Sequence, residues 1–288
     1  MTPDTGKLAE PRLTMAPEAA TQQHSAATGM TTITIHHNLP TSAKPRRAVT
    51  IAMLITCVAA LGVTLVAHRY YGTFIRGADA QMYYAQVRSL VVDGDFSYDN
   101  EITQLTPNKA VFYDKAGELR VARTEDGRLI NKYTFGWTLI SLPAFYVVHG
   151  WQSAVGGEAN GYSAAYDITI AVWHLAFAMF GLWMLARSAI RLVDAKAAAI
   201  AAVAVFFATN VVYYTCVYPT MAHAASFAAV AIACALAIHL YEDPGNRRAW
   251  LGAGVIAGLV ALLRQTDVVL FAPAEPRASA QSAATRHD

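Results

Sequence analysis

Charged residues and cysteines are both scarce in this sequence. Only 15% of the 288 residues are Asp, Glu, Lys or Arg, whereas soluble domains average about 25%. The three cysteines, Cys57, Cys216 and Cys234, lie in apolar runs without a Cys-x-x-Cys pair. They are interpreted as buried small residues, not as metal ligands or disulfides. The net charge is only +2, with no basic patch among aromatic residues, so nucleic acid is not an expected partner.

The sequence is rich in long apolar runs. Hydrophobic residues make up 55% of the chain, and several runs approach or exceed the roughly 18 residues that indicate a membrane span. The six runs are Ala48–Ala67, Thr134–Val148, Ala165–Ala186, Ala197–Val217, Met221–Tyr241 and Trp250–Ala272. They predict an all-α polytopic membrane protein.

The basic residues predict its orientation in the inner membrane. Three of them, at 44–47, precede the first run and place the N-terminus in the cytoplasm. With six spans, the basic loops at 187–196 and 247–248 would lie outside, but they lie inside if 134–148 does not cross. That run gives about 22 Å of helix against a core of about 30 Å. We predict five spans and an outer juxtamembrane helix at 134–148, interrupted by Pro143, with six spans as the alternative.

Composition divides the chain further. Residues 1–45 are rich in Ala, Thr, Pro and Ser and are predicted to form a disordered cytoplasmic segment. Residues 46–272 form the predicted membrane domain, with 68–164 as its first outer loop. Residues 273–288 form a polar, disordered tail. Its abrupt change of character is typical of a truncated reading frame, which we expect here, with a natural short paralogue as the alternative.

The outer loop opens with "GADAQMYYAQVRSLVVDGDFSYDN". Residues 78–92 have helical spacing and predict a short helix lying on the membrane, with Gln81 and Arg88 away from its apolar stripe. The stripe consists of Met82, Ala85, Val87, Leu90 and Val91. Asp79 falls in the first turn, where an anion is favourable. It is either a functional carboxylate or an ordinary acid at the start of a helix.

The rest of this loop is turn-rich. Asp93, Asp95 and Asp99 are interpreted as solvated loop acids, with a weak cation site as the alternative. Turn signals at 114–117 and 126–127 separate short runs that predict a small β-hairpin.

Four segments together resemble a known family. An acid and paired tyrosines follow the first span; then come "NKYTFGWTLISLPAF", "TNVVYYTCVYPTMAHAASF" and "GLVALLRQTDVVLF". This order resembles the N-terminal half of bacterial GT-C-fold glycosyltransferases, which include relatives of protein O-mannosyltransferases and aminoarabinose transferases. The resemblance covers about residues 48–272. It implies sugar transfer from a polyprenyl-phosphate carrier to an acceptor hydroxyl outside the membrane, with Asp79 matching the catalytic carboxylate. The segment after Lys132 lacks the Pro pair of mannosyltransferase-like members.

Four further residues are candidates for substrate binding. Arg264 is predicted to lie about fifteen residues into the last span, near its outer end, where its guanidinium would hold phosphate; the alternative is a structural pair with Asp267. His223, at the outer start of a span, contacts donor or acceptor or is an ordinary interfacial histidine. Tyr83 and Lys132 complete the set.

The predicted donor is a polyprenyl-phosphate sugar, and the acceptor a glycan, lipid or protein. No zinc-ligand spacing or glycine-rich phosphate loop is present, no metal site is predicted, and His149 and Asp167 receive no role. The main alternative function is a non-catalytic membrane module that binds a polyprenyl lipid or a partner protein. Half of a transporter is less favoured, because transporters place polar groups at mid-membrane in interrupted helices.

Overall fold

The computed structural model describes residues 43–105 and 121–271, and every named element in these ranges is a helix. The helices are α1 (Ala43–Tyr71), α2 (Gly77–Arg88, with a π-turn Ser89–Asp93), α3 (Asp99–Leu105), α4 (Gly136–Ala154), α5 (Ala164–Ala189), α6 (Ala195–Phe207), α7 (Asn210–Val217), α8 (Ala222–Glu242) and α9 (Arg247–Leu263), followed by a 3-10 turn Gln265–Phe271. The all-α class is confirmed. Apart from 43–45, the predicted disordered segments 1–45 and 273–288 lie outside the described residues.

Three described helices are long and apolar enough to cross a membrane: Arg46–Tyr71, Ala164–Ala189 and Ala222–Glu242. Together, α6 and α7 provide a fourth if they are counted as one bent span. The predicted fifth span, 250–272, forms the 17-residue helix α9 and then breaks, so it reaches only about 26 Å. The described structure is thus all-helical with three candidate spans, or up to four, which is consistent with a helical membrane protein. The predicted count of five spans is not confirmed.

The predicted span 197–217 is not straight. Its two helices are inclined at 59° across a short break. Thr209 lies at that break, where its hydroxyl donates to the Val205 carbonyl at 2.7 Å and accepts from the Val211 backbone N–H at 3.2 Å. The bend therefore has its own hydrogen-bond partners, which an interrupted helix needs in an apolar environment.

Helix α4 is longer than its predicted run. Pro143 was expected to interrupt it, but the helix continues through Pro143 for 19 residues, or about 28 Å. Proline removes one backbone donor from a helix. Here Ala144, Phe145 and Val148 are buried on the far side of Pro143, and their packing holds the second half of the helix in line. Although long enough, α4 is not among the helices apolar enough to be candidate spans.

The helices define two ends of the bundle. Phe74, just after α1, bonds to Asp167 in the first turn of α5, whereas Thr50 near the start of α1 contacts Trp183 near the end of α5 at 3.4 Å. The two helices are therefore antiparallel. We call the end that carries Phe74 the Asp79 end and the end that carries Thr50 the Arg46 end.

Helix α2 is enclosed, not laid on a surface. Every residue from Ala80 to Arg88 is buried, whereas the predicted apolar stripe left Arg88 on a polar face. Arg88 is buried because its charge is compensated: Nη1 donates to Glu101 Oε1 at 2.6 Å and also to Asp93, and Nε donates to the Asn160 carbonyl at 2.9 Å. Ion pairing is the usual condition for burying a charge.

The acids of the turn-rich segment are structural. Asp93 pairs with Arg88, Asp99 pairs with Arg123 at 2.7 Å, and Asp95 accepts a hydrogen bond from Ser89. All three residues are exposed, in agreement with their interpretation as solvated acids, and each also contacts a neighbouring side chain.

The turn at 126–127 is present. Gly127 has a positive φ of 85°, and Arg123 and Leu129 form an isolated antiparallel bridge across it. The other predicted turn, at 114–117, lies outside the described residues.

Glu101 makes the packing of α2 and α3 sensitive to pH. Its side chain is fully buried, and burial raises its pKa to about 7 although Arg88 opposes the shift. A raised carboxyl pKa means that the contribution of Glu101 to stability is fully present below its ordinary value of 4.5 and is lost as the pH rises through about 7. We expect Glu101→Gln to remove a decline on the order of 2–3 kcal/mol in the free energy of unfolding over this window.

Thermal unfolding in detergent between pH 4 and 8 measures this slope. Glu158→Gln, which changes an exposed acid, is the matched control and should keep the wild-type slope. An unchanged slope in Glu101→Gln contradicts the assignment.

Candidate functional site

Tyr133 lies at the centre of the candidate site, at the Asp79 end. Its hydroxyl donates a hydrogen bond to Oδ1 of the exposed Asp79 carboxylate. Its ring lies 4.7 Å from that of Tyr83 and 5.2 Å from Nζ of the exposed Lys132. Three of the predicted site residues, separated in sequence by up to 53 positions, thus meet at one tyrosine.

Helices α2 and α4 fix the position of Tyr133. Gln86 Nε2 donates to the Tyr133 carbonyl at 2.9 Å, and Gln86 Oε1 accepts from the Thr138 hydroxyl at 2.9 Å. Asn131 accepts from the Tyr133 backbone N–H at 3.1 Å and donates to the Met82 carbonyl at 2.8 Å. The Tyr133 backbone is therefore held by Gln86 of α2 at its carbonyl and, at its N–H, by Asn131, which is itself bonded to α2.

Burial and charge keep both tyrosine hydroxyls protonated. The pKa of Tyr133 lies far above its usual range, mainly because the side chain is partly buried and secondly because its hydroxyl donates to Asp79. Burial and the Asp79 charge raise the pKa of Tyr83, while the positive charge of Arg264 opposes the shift. The Tyr133 hydroxyl is therefore a permanent donor to Asp79, and Arg264 lies within electrostatic range of Tyr83.

The sequence predicts Arg264 inside the last span, but the structure places it at the end of helix α9. Helix α9 stops at Leu263, and Arg264 is extended, with φ −151° and ψ 113°. The predicted pair with Asp267 is also wrong, because the helix break removes the shared helical face. Asp267 instead accepts hydrogen bonds from Ser226 and Thr266. Among the described residues, the half-buried Arg264 guanidinium has no hydrogen-bond or ion-pair partner.

His223 lies on the same side of the bundle. Its ring centroid is 4.0 Å from that of Tyr214, and its Nδ1 is buried without a hydrogen-bond partner in the described structure. Asp79, Arg264 and Asp267 all lie within electrostatic range of its imidazole. All five predicted site residues are therefore placed in one neighbourhood at the Asp79 end.

The short connection between α1 and α2 sets the position of Asp79. The Phe74 backbone N–H donates to Asp167 Oδ2 at 2.9 Å, and the Phe74 carbonyl accepts from the Thr220 hydroxyl at 2.6 Å. The Tyr218 hydroxyl donates to the Arg76 carbonyl. These contacts tie the connection to the starts of α5 and α8, so the first turn of α2 begins at a fixed point.

Arg76 reinforces this connection. Its guanidinium lies 3.6 Å from the ring centroid of Tyr71 and 5.0 Å from that of Tyr218, and Nη2 donates to the Val217 carbonyl at 2.5 Å. Stacking an arginine on aromatic faces is favourable, more so when it is partly desolvated.

Two residues of the site were missed in the sequence. Tyr133 directly follows a lysine that was singled out, but its partner Asp79 is 54 positions away. Asp167 received no role, although an acid in the first turn of an apolar helix is a signal of a buried acceptor. Its partner Phe74 is 93 positions away, so spacing alone does not reveal either contact.

Within residues 43–105 and 121–271, no group of three or more His, Cys, Asp or Glu side chains is arranged to hold a metal ion. Comparison of the chain with protein-family models, curated proteins and solved structures finds no match. The resemblance to GT-C enzymes therefore rests on the residue pattern.

The start of α4 packs directly on the end of α9 beside Arg264. A Cβ on Gly136 would lie 2.4 Å from the Leu262 carbonyl and 2.6 Å from the Leu263 nitrogen, and the Thr134 hydroxyl donates to the Leu263 carbonyl at 2.9 Å. Because a backbone cannot yield as a side chain does, we expect Gly136→Ala to lower the free energy of unfolding by about 1–3 kcal/mol.

Gly150→Ala is the matched control in the same helix, since no atom lies within 4 Å of its Cβ position. Thermal unfolding in detergent should separate the two variants. Equal midpoints would show that the contact between α4 and α9 is not tight.

Proposed function

We propose that this chain carries the acid–base and phosphate-binding site of a membrane glycosyltransferase that uses a polyprenyl-phosphate sugar. The observation that carries the proposal is an exposed carboxylate, Asp79, held by Tyr133 on the same side of the bundle as an unpaired arginine, Arg264. Transfer from a lipid phosphate requires these two functions: a base for the acceptor hydroxyl and a cation for the phosphate leaving group.

Asp79 is the proposed base. Its exposure lets an acceptor hydroxyl of a glycan, lipid or protein approach the oxygen not bonded to Tyr133. The Tyr133 hydrogen bond fixes the orientation of the carboxylate, which a general base needs. Inversion at the sugar carbon is what the resemblance to GT-C enzymes implies.

Arg264 and His223 are the proposed phosphate contacts. A guanidinium can donate two parallel hydrogen bonds to phosphate, and neither Arg264 nor His223 Nδ1 has a partner in the described structure. Tyr83 lies within electrostatic range of both Asp79 and Arg264. Lys132, exposed beside Tyr133, is placed to contact the donor phosphate or acceptor from the solvent side.

We propose further that the Asp79 end faces outward from the inner membrane and that the N-terminus is cytoplasmic. The support is the charge distribution. The Arg46 end carries a concentration of basic residues, namely Arg46, Arg47, Arg187, Arg191, Lys196, Arg247 and Arg248, and such residues are retained on the cytoplasmic side.

A non-catalytic module that binds a polyprenyl phosphate is the second candidate. The observation that favours it is that one oxygen of the Asp79 carboxylate is already occupied by the Tyr133 hydroxyl, whereas Arg264 and His223 Nδ1 have no partner in the described structure. Arg264 and His223 alone would suffice for binding.

Asp79→Asn distinguishes the two functions. We expect transfer to fall by at least about 100-fold, because a general base contributes 10²–10⁴ in rate, while retention of polyprenyl phosphate is unchanged. The measurement is transfer of labelled sugar from a panel of polyprenyl-phosphate hexoses and pentoses in native membranes.

Glu125→Gln, which removes an exposed acid of the same segment, is the control and should keep wild-type transfer. Unaltered transfer in Asp79→Asn would remove Asp79 as the base. Absent transfer in the wild type with intact lipid binding would contradict the enzyme and favour the module.

Arg264→Gln tests the phosphate contact. We expect polyprenyl-phosphate binding to weaken by about tenfold, because charge-assisted hydrogen bonds are roughly twice as strong as neutral ones, and Arg264→Lys to recover part of the loss. Equilibrium binding of undecaprenyl phosphate to the purified chain measures this. Wild-type affinity in Arg264→Gln would remove Arg264 from the site.

A further inference from the structure

A second basic site lies at the opposite end of the bundle. A cavity of about 290 Å³ opens between the first turns of α1 and the end of α5. Its walls are formed by Arg46, Trp183, Met184, Arg187, Ser188 and Arg191. Among the described residues that line it, none is acidic.

The charge of this cavity is only partly compensated. Arg191 Nη1 is paired with Glu242 Oε2 at 2.5 Å and lies 3.3 Å from His239 Nδ1. In the described structure, the guanidinium groups of Arg46 and Arg187 have no acid or hydrogen-bond acceptor; Arg187 lies 5.1 Å from the ring centroid of Trp183. The cavity therefore presents two uncompensated positive charges.

Its walls are also amphipathic. Trp183 and Met184 supply an apolar side, and Trp183 Nε1 is held by the Thr50 hydroxyl of α1 at 3.4 Å. Both helices are candidate membrane spans, so the cavity lies where two spans end. Arginines above an apolar wall at that level match a lipid, whose phosphate and acyl chains meet at the same depth.

We propose that this cavity binds the phosphate headgroup of an anionic membrane lipid. Arg46 and Arg187 contact the phosphate from two different helices, Ser188 supplies a hydroxyl donor, and Trp183 and Met184 contact the glycerol and first methylenes. A bound headgroup would join α1 to α5 at this end. The site is separate from the Asp79 site and does not depend on its function.

Native mass spectrometry of the purified full chain tests the proposal. Dioctanoyl phosphatidylglycerol, dioctanoyl phosphatidylcholine and inorganic phosphate are titrated separately. We expect phosphatidylglycerol to bind about tenfold more tightly than phosphatidylcholine, and Arg187→Gln to weaken it by about fivefold, since each basic residue near an anionic lipid contributes roughly fivefold in affinity. Arg46→Gln should produce a similar loss.

Arg248→Gln is the matched control, because it removes an exposed positive charge at the same end but outside the cavity. It should leave phosphatidylglycerol binding unchanged, and gel filtration confirms that each variant remains folded. Equal affinity for the two lipids, or equal loss in Arg248→Gln, overturns the proposal. Inorganic phosphate binding as tightly as phosphatidylglycerol would identify a soluble anion as the occupant and also overturn it.

Discussion

The hydrogen bonds at Phe74 are the constraint on which the Asp79 end depends. The Phe74 N–H is held by Asp167, its carbonyl is held by Thr220, and both acceptor and donor are buried. A buried backbone group without a partner is costly, so these contacts determine where the chain leaves α1. Because α2 begins three residues later, they also determine where Asp79 lies.

From that point the site is assembled by elements distant in sequence. α2 positions Tyr133 through Gln86, and α4 brings Gly136 against the end of α9. The close backbone contact at Gly136 in turn sets the place at which Arg264 leaves its helix. Rigid supporting contacts of this kind are what a site needs to hold its groups in a fixed relation. Here the polar and backbone contacts add to a buried apolar cluster that includes Tyr83, Trp137 and Leu263.

The sequence alone was sufficient to predict an all-helical chain with candidate membrane spans and to single out its unusual charged residues. Asp79 and Arg264 stand out because acids and arginines are rare next to apolar runs. Their partners do not stand out, because Tyr133 and Asp167 are recognised only by contacts across 54 and 93 positions. No proline or glycine follows Leu263 to mark the end of α9 in the sequence. Pro143 predicts a break in α4, but packing keeps that helix continuous. Local sequence signals did not predict the helix boundaries where tertiary contacts determine the course of the backbone.

The bend between α6 and α7 has a consequence for how this protein meets the lipid. Thr209 both caps the second helix and bonds back to the first, so the two segments share one side chain instead of exposing free carbonyl and amide groups. One carbonyl and one amide at the bend, those of Val205 and Val211, therefore do not need water or a neighbouring helix as a partner.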